Sequence, residues 1–194
     1  MKEAYKALGY NKANYVPLTP LSFLHRTADI YGEREAIIHG DKRYNWRQCR
    51  DRCIRIASSL VKSGIDLGDT VAVLAFNTPE MFESHFAVPM TGAVLNTINT
   101  RLDADTVAYI LEFGNAKALI VDRELFPLAE KALAKIELRP VLILIDDETA
   151  EVKPSVDQDV MDYEELVNSG DPDFSCPQLE DEWQALALNF TSGT

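Results

Sequence analysis

Hydrophobic positions along the chain follow two alternating patterns. One recurs every three to four residues and predicts an α-helix; it is clearest at Cys53, Ile56, Ala57, Leu60 and Val61. The other is a short unbroken apolar run rich in β-branched residues, as in residues 70–75 (TVAVLA), and is typical of a strand covered on both faces. Both patterns predict elements that build a buried core.

The alternation continues through most of the chain. Helices are predicted at 21–31, from the Asn45 cap to about Lys62, and at 78–90, 107–113, 125–136 and 163–167. Strands are predicted at 70–75, 93–96, 118–121 and 141–145, and a hairpin turns at Gly40 and Asp41. Because strands that alternate with helices favour right-handed crossovers, the predicted fold class is α/β: a mainly parallel sheet with helices on both faces.

Two helix starts carry recognisable capping signals. Asn45 and Gln48 have the spacing of a capping box, in which each side chain bonds the other residue's backbone amide. Thr78 followed by Pro79 is typical of an N-cap and a first helical position. These signals predict where two of the helices begin.

Composition and charge exclude several classes of protein. The 194 residues are 46% hydrophobic and 26% charged, as in an ordinary globular protein. The formal net charge is −12, so the average surface repels nucleic acid and anionic membranes. We expect no nucleic-acid partner, and the acid excess by itself indicates only a solvated surface.

Cysteine and histidine spacing gives no metal site. Cys49 and Cys53 are separated by three residues, which is not the CxxC spacing of metal or redox pairs, and they lie on one predicted helical face as small core residues. The three histidines have no HExxH or Cys/His spacing around them. No stretch of the chain approaches a membrane span or a signal-peptide core, so we expect a reducing, cytoplasmic setting.

The candidate chemistry lies at the end of the sequence. Residues 185–190 (ALALNF) are predicted to form a buried strand that leads into Thr191, Ser192, Gly193 and Thr194. Glycine allows close backbone approach, and Ser and Thr hydroxyls add donors, so such a loop is suited to phosphate groups. The same residues are common in ordinary turns. Neither a GxxxxGK[ST] motif nor a GxG pair occurs among the nine glycines.

Other polar residues allow two interpretations. Asn96, Asn99 and Arg101 either contact a substrate or a neighbouring subdomain, or close turns at a strand end. The pair Asp146 and Asp147 lies in an acidic stretch that is typical of a solvated connection.

Five separated segments resemble, in order and spacing, the N-terminal part of the AMP-dependent acyl-CoA synthetases. They are VPLTPLSFL (16–24), YNWRQCRDRC (44–53), GDTVAVLAFNTPEM (68–81), AVPMTGAVLNTINTRL (87–102) and DEWQALALNFTSGT (181–194). In that family the terminal Thr-Ser-Gly-Thr begins the phosphate-binding loop, which normally continues with Thr-Gly, Pro and Lys. The resemblance therefore assigns Thr191, Ser192, Gly193 and Thr194 to the phosphates of ATP.

The resemblance implies a two-step ligase that uses ATP, Mg²⁺ and coenzyme A. A carboxylate attacks the α-phosphate to give an acyl-adenylate, and the thiol of coenzyme A then displaces AMP. The family's catalytic lysine and its adenine and ribose motifs have no counterpart in residues 1–194, and its acyl pocket is built largely by later residues. We therefore expect an incomplete N-terminal part of the adenylation domain that is inactive alone; the alternative is a non-catalytic α/β binding module. The carboxylic acid and the oligomeric state stay open.

Overall fold

The protein is described by a computed structural model that covers residues 9, 11, 13–156, 160–177 and 181–191. Its helices are α1 (Pro20–Tyr31), α2 (Trp46–Lys62), α3 (Pro79–Met90), α4 (Ala104–Phe113), α5 (Phe126–Leu133) and α6 (Tyr163–Ser169). Its strands are β1 (Glu35–His39), β2 (Lys42–Asn45), β3 (Thr70–Leu74), β4 (Val94–Thr97), β5 (Ala116–Asp122), β6 (Val141–Ile145) and β7 (Met161–Asp162). In these described ranges no helix has both the length and the apolar content to cross a bilayer.

Five strands form one parallel sheet in the order β4-β3-β5-β6-β7. Val71 of β3 lies between Leu95 of β4 and Ala118 of β5. The chain thus moves from β3 to one side and then crosses back over β3 to the other, so the winding direction changes between β3 and β5. The predicted α/β class with a mainly parallel sheet is confirmed.

The two faces of the sheet carry separate cores because strand side chains alternate in direction. Val71 and Val73 pack with helices α1, α2, α3 and α6 on one face. Ala72 and Leu74 pack with α4 and α5 on the other. Helices therefore cover both faces, as predicted, and Cys49 and Cys53 are completely buried, unbridged core residues.

Helix starts follow the predicted signals with one exception. Asn45 and Gln48 form the capping box with reciprocal bonds of 2.8 and 2.9 Å. Thr78 occupies the N-cap position of α3 but makes no side-chain cap bond; its hydroxyl is buried and has no partner among the described residues. The predicted N-cap position of Thr78 is confirmed, although its side chain does not make the cap bond that Asn45 makes.

One predicted helix begins in a different conformation, and one short strand was not predicted. The segment predicted as one helix over 125–136 begins as a 3₁₀ turn, Arg123–Leu125, and becomes α-helical at Phe126. Strand β7 was not predicted, because two residues are too short to show a period-two pattern.

A buried ionic cluster joins three helices of the first face. The Arg52 guanidinium of α2 bonds Glu83 of α3 at 3.2 Å and Glu164 of α6 at 2.7 Å. Its charge also lies over the Tyr44 ring, 4.7 Å from the centroid. The Glu83 side chain is fully buried, and burial raises its pKa although Arg52 opposes the shift. Arg52 therefore compensates a carboxylate that has no access to water.

Replacing Arg52 with Met is expected to destabilise the fold by about 3–5 kcal/mol, because Glu83 would then be a buried, uncompensated charge. The double variant Arg52→Met/Glu83→Gln should recover a large part of this loss, since the glutamine is neutral and still accepts from the Tyr163 hydroxyl. Urea unfolding measures both.

The matched control is Arg47→Met, which removes an exposed pair with Glu33 and should cost less than about 1 kcal/mol. Equal losses for Arg52→Met and the double variant would contradict this account of the cluster.

Candidate active site

The end of the described chain runs beside the edge strand β4, parallel to it. The amide of Leu95 donates to the Leu186 carbonyl at 3.1 Å, and the amide of Leu188 donates to the Leu95 carbonyl at 2.8 Å. Within residues 181–191, the part of this segment that the structure describes, one bridge results, Leu95 to Ala187. The prediction of a buried strand over 185–190 is therefore wrong: most of these residues are exposed, since the segment is paired only with β4 among the described residues.

Helix α4 contacts the C-terminal end of the same segment. The ring of Phe190 packs edge-on against Tyr109 and Phe113, with centroids 6.2 and 5.8 Å apart. The two helix rings are themselves stacked at 5.7 Å. Phe190 is thus fixed immediately before the predicted phosphate loop.

The structure places only the first residue of that loop. Thr191 is exposed and follows Phe190 at the carboxyl edge of the sheet, because the segment runs in the same direction as the strands. Ser192, Gly193 and Thr194 lie outside the described residues, so their role in phosphate binding stays a prediction. Ligands of open parallel sheets bind at this carboxyl edge.

Asn96, within β4, and Asn99, just after β4, have different roles. Asn99 accepts a bond from the Arg101 amide at 3.0 Å, which is the turn-closing interpretation of that residue. Asn96 is almost completely buried, and its amide donates to the Leu188 carbonyl at 2.7 Å. Asn96 therefore contacts the segment that leads to the loop.

A cluster of carboxylates, which sequence analysis missed, lies at the same edge. Asp122 ends β5, Glu80 lies in the first turn of α3 and Asp147 follows β6; their exposed fractions are 1%, 3% and 8%. One oxygen each of Asp122 and Glu80 is buried without a partner among the described residues. Asp122 points to the α3 face, because its neighbour Val121 packs on the other.

The β1–β2 hairpin covers this cluster with two basic side chains. The Nε2 atom of His39 lies 3.0 Å from both carboxylate oxygens of Asp147. The ammonium of Lys42 lies 3.3 Å from Glu80. These partners are 108 and 38 residues apart in sequence, so no local pattern could have indicated them.

The carboxylates respond differently to their surroundings. Burial raises the pKa of Asp122, and the charges of Asp147, Glu124 and Glu80 add to that rise against a bond from the Glu124 amide. Burial also acts to raise the pKa of Asp147, but bonds from Thr149 and His39 outweigh it and leave the pKa below its ordinary value. Bonds from Thr149 and from His39 of the hairpin thus stabilise the Asp147 carboxylate, whereas Asp122 is a buried charge that costs stability.

Comparison with known proteins identifies the chain's family. The family model for AMP-binding enzymes matches residues 24–194. The chain belongs to the AMP-binding enzyme family. An acetate–CoA ligase of Humulus lupulus is 44% identical over an alignment that covers 95% of this chain and 34% of that protein. The peroxisomal trans-cinnamate:CoA ligase of Petunia hybrida is 46% identical, with 94% and 34% covered.

Solved structures of AMP-binding enzymes share the fold. The anthranilate CoA ligase AuaEII in complex with anthranoyl-AMP superimposes with a TM-score of 0.82 at 21% identity, over 93% of this chain and 33% of that one. A long-chain-fatty-acid-CoA ligase of Archaeoglobus fulgidus gives 0.78 at 20% identity, over 96% and 37%. The chain spans about a third of the length of the curated relatives it matches.

Replacing Asp122 with Asn is expected to raise the melting temperature of this member of the AMP-binding enzyme family at pH 7. The folded-state pKa of Asp122 is raised, so protonation of this carboxyl stabilises the folded state, and that stabilisation is fully present below the unfolded pKa of about 3.9. It is lost as the pH rises through the folded-state pKa. Asparagine does not ionise, so the variant avoids this loss of stability at pH 7. Its side-chain oxygen still accepts the hydrogen bond from the Glu124 amide. The gain should be a few degrees, at about 2–4 °C per kcal/mol.

Thermal unfolding at several pH values measures the difference, which should shrink as the pH approaches 4. Asp105→Asn is the control, because Asp105 is exposed and pairs with Lys135 at the surface. A variant that melts below the wild type at pH 7 would show that the Asp122 carboxylate contributes favourably.

Proposed function

We propose that this chain is the N-terminal part of an AMP-forming acyl-CoA ligase, which converts a carboxylic acid, ATP and coenzyme A into an acyl-CoA, AMP and pyrophosphate. The observation that carries the proposal is the course of residues 186–191. They run parallel to β4 and reach the carboxyl edge of the sheet, where Thr191 is exposed to solvent. This is the edge at which parallel sheets bind their ligands.

Thr191, Ser192, Gly193 and Thr194 would hold the β- and γ-phosphates through hydroxyl and backbone N–H donors. Such donors stabilise the charge of the leaving pyrophosphate because they are already oriented before it develops. The exposure of Thr191 and the fixed position of Phe190 fit this use.

Mg²⁺ would neutralise phosphate charge during the transfer. The described residues contain no group of three or more His, Cys, Asp or Glu arranged for a metal ion. The carboxylates at the sheet edge do not fit the ion, since Asp147 and Glu80 are bound by His39 and Lys42 and the cluster is closed to solvent. No described residue is assigned to Mg²⁺ or to coenzyme A.

The substrate class we propose is a small carboxylic acid. Relatives at 44–46% identity are described as acetate, butyrate and trans-cinnamate CoA ligases, which differ in acyl size and aromaticity. This range supports the acid–thiol ligase class without selecting one acid.

A chimera tests the proposal directly. This chain would replace the corresponding third of the Humulus lupulus acetate–CoA ligase, and AMP release would be followed with acetate, butyrate and cinnamate in the presence of coenzyme A. We expect acid- and CoA-dependent AMP formation by the chimera and none by residues 1–194 alone. A folded chimera without activity would favour a non-catalytic binding module, and ATP–pyrophosphate exchange by the isolated chain would contradict its proposed incompleteness.

Removing the loop hydroxyls in the chimera, as Thr191→Ala/Ser192→Ala/Thr194→Ala, should lower kcat/KM for ATP by about 10²–10³, the range seen when oriented donors are removed. Steady-state kinetics at varied ATP measures this change. The control is Thr97→Val on β4, a hydroxyl outside the loop. Unchanged ATP kinetics in the triple variant would remove these residues from the phosphate site.

We propose the cytoplasm as the compartment, from the sequence pattern alone. Because several similar ligases are described as peroxisomal, imaging a fluorescent fusion beside a peroxisomal marker is the measurement that decides between the two.

A further inference from the structure

We infer that Asn96 is a positioning residue for the phosphate loop: its side-chain amide holds the Leu188 carbonyl at the point where the chain leaves the sheet. The inference rests on the proposed function, because it assigns Asn96 to the orientation of the loop that this function requires. Asn96 does not itself contact the nucleotide in this proposal.

The hydrogen-bond pattern of β4 carries the inference. The amides of Val94 and Ile98 donate towards β3, at 2.7 Å to Asp69 and 2.9 Å to Val73. The amides of residues 95 and 97 therefore face the opposite edge, beside residues 186–190. Leu95 makes both bonds of a parallel ladder there.

The ladder stops one step later. In a continuing parallel ladder the Leu188 carbonyl would accept from the backbone amide of Thr97. Instead it accepts from the side chain of Asn96 at 2.7 Å, and no second bridge follows the Leu95–Ala187 bridge in the described residues. The side-chain bond thus takes the place of a backbone bond and lets the chain diverge from β4.

Burial gives this bond a fixed geometry. Asn96 is 1% exposed and stands on the face of the sheet that also carries Ala72 and Leu74. A side chain packed on all sides has little rotational freedom, so its amide can hold the Leu188 carbonyl in one place. Two residues separate Leu188 from Thr191 along the chain, and one of them, Phe190, is held by α4.

A local measurement on residues 1–194 tests the bond without reference to catalysis. Amide hydrogen exchange should be about ten-fold faster over residues 186–191 in Asn96→Leu, while protection in β3 and β5 stays unchanged. Thr97→Val is the matched control, because Thr97 is the next residue of β4 and its side chain points to the opposite face. Exchange equal to wild type over 186–191 would overturn the inference.

The chimera tests the consequence for the enzyme. Asn96→Leu should raise KM for ATP about ten-fold or more and leave KM for the carboxylic acid within about two-fold, with the melting temperature close to wild type. Asn96→Gln retains a donor and should recover part of the loss, which a purely structural role would not produce. Equal KM values for ATP in wild type and Asn96→Leu would refute the positioning role.

Failure of the proposed function has a different signature. If the unmodified chimera is folded and makes no AMP, the ligase proposal fails and the exchange measurement alone decides the role of Asn96. If Asn96→Leu does not fold, Asn96→Asp, which has the same shape and presents an oxygen in place of the donor, is used in both measurements with the same expected direction.

Discussion

The parallel pairing of β3 with neighbours on both sides is the constraint on which the rest of this structure depends. Val71, Ala72, Val73 and Leu74 are fully buried, so each face of β3 must be covered by helices and both of its edges must be paired. Covering both faces requires crossovers on both sides of the sheet. The change in winding direction between β3 and β5 follows, and the shared direction of the strands sets the carboxyl edge at which the candidate site lies.

That edge combines a closed part and an open part. The closed part lies where β3, β5 and β6 end. There the β1–β2 hairpin covers three buried carboxylates, Glu80, Asp122 and Asp147. Beside β4 the chain instead reaches solvent at Thr191. The hairpin compensates the closed carboxylates only in part, which leaves Asp122 as a stability cost. A ligand site of the proposed kind belongs to the open part.

The positioning of that open part uses two different interactions. A buried amide holds the Leu188 backbone, and two aromatic rings hold Phe190. The amide comes from β4, which pairs directly with β3, and the rings come from α4, the next helix in the chain. A phosphate loop that depends on oriented donors benefits from a rigid support of this kind.

The sequence by itself determined the α/β class, the parallel sheet, the helix at the Asn45–Gln48 capping box and the family resemblance carried by its segments. These are local in origin, because period, capping and turn chemistry act within a few residues. Only the tertiary structure decided that residues 185–190 form an exposed bridge, that Asn96 holds Leu188, and that His39 and Lys42 cover the carboxylates. Each of these contacts joins residues that are 38 or more apart in sequence, and no local pattern specifies which distant partner a polar side chain will meet.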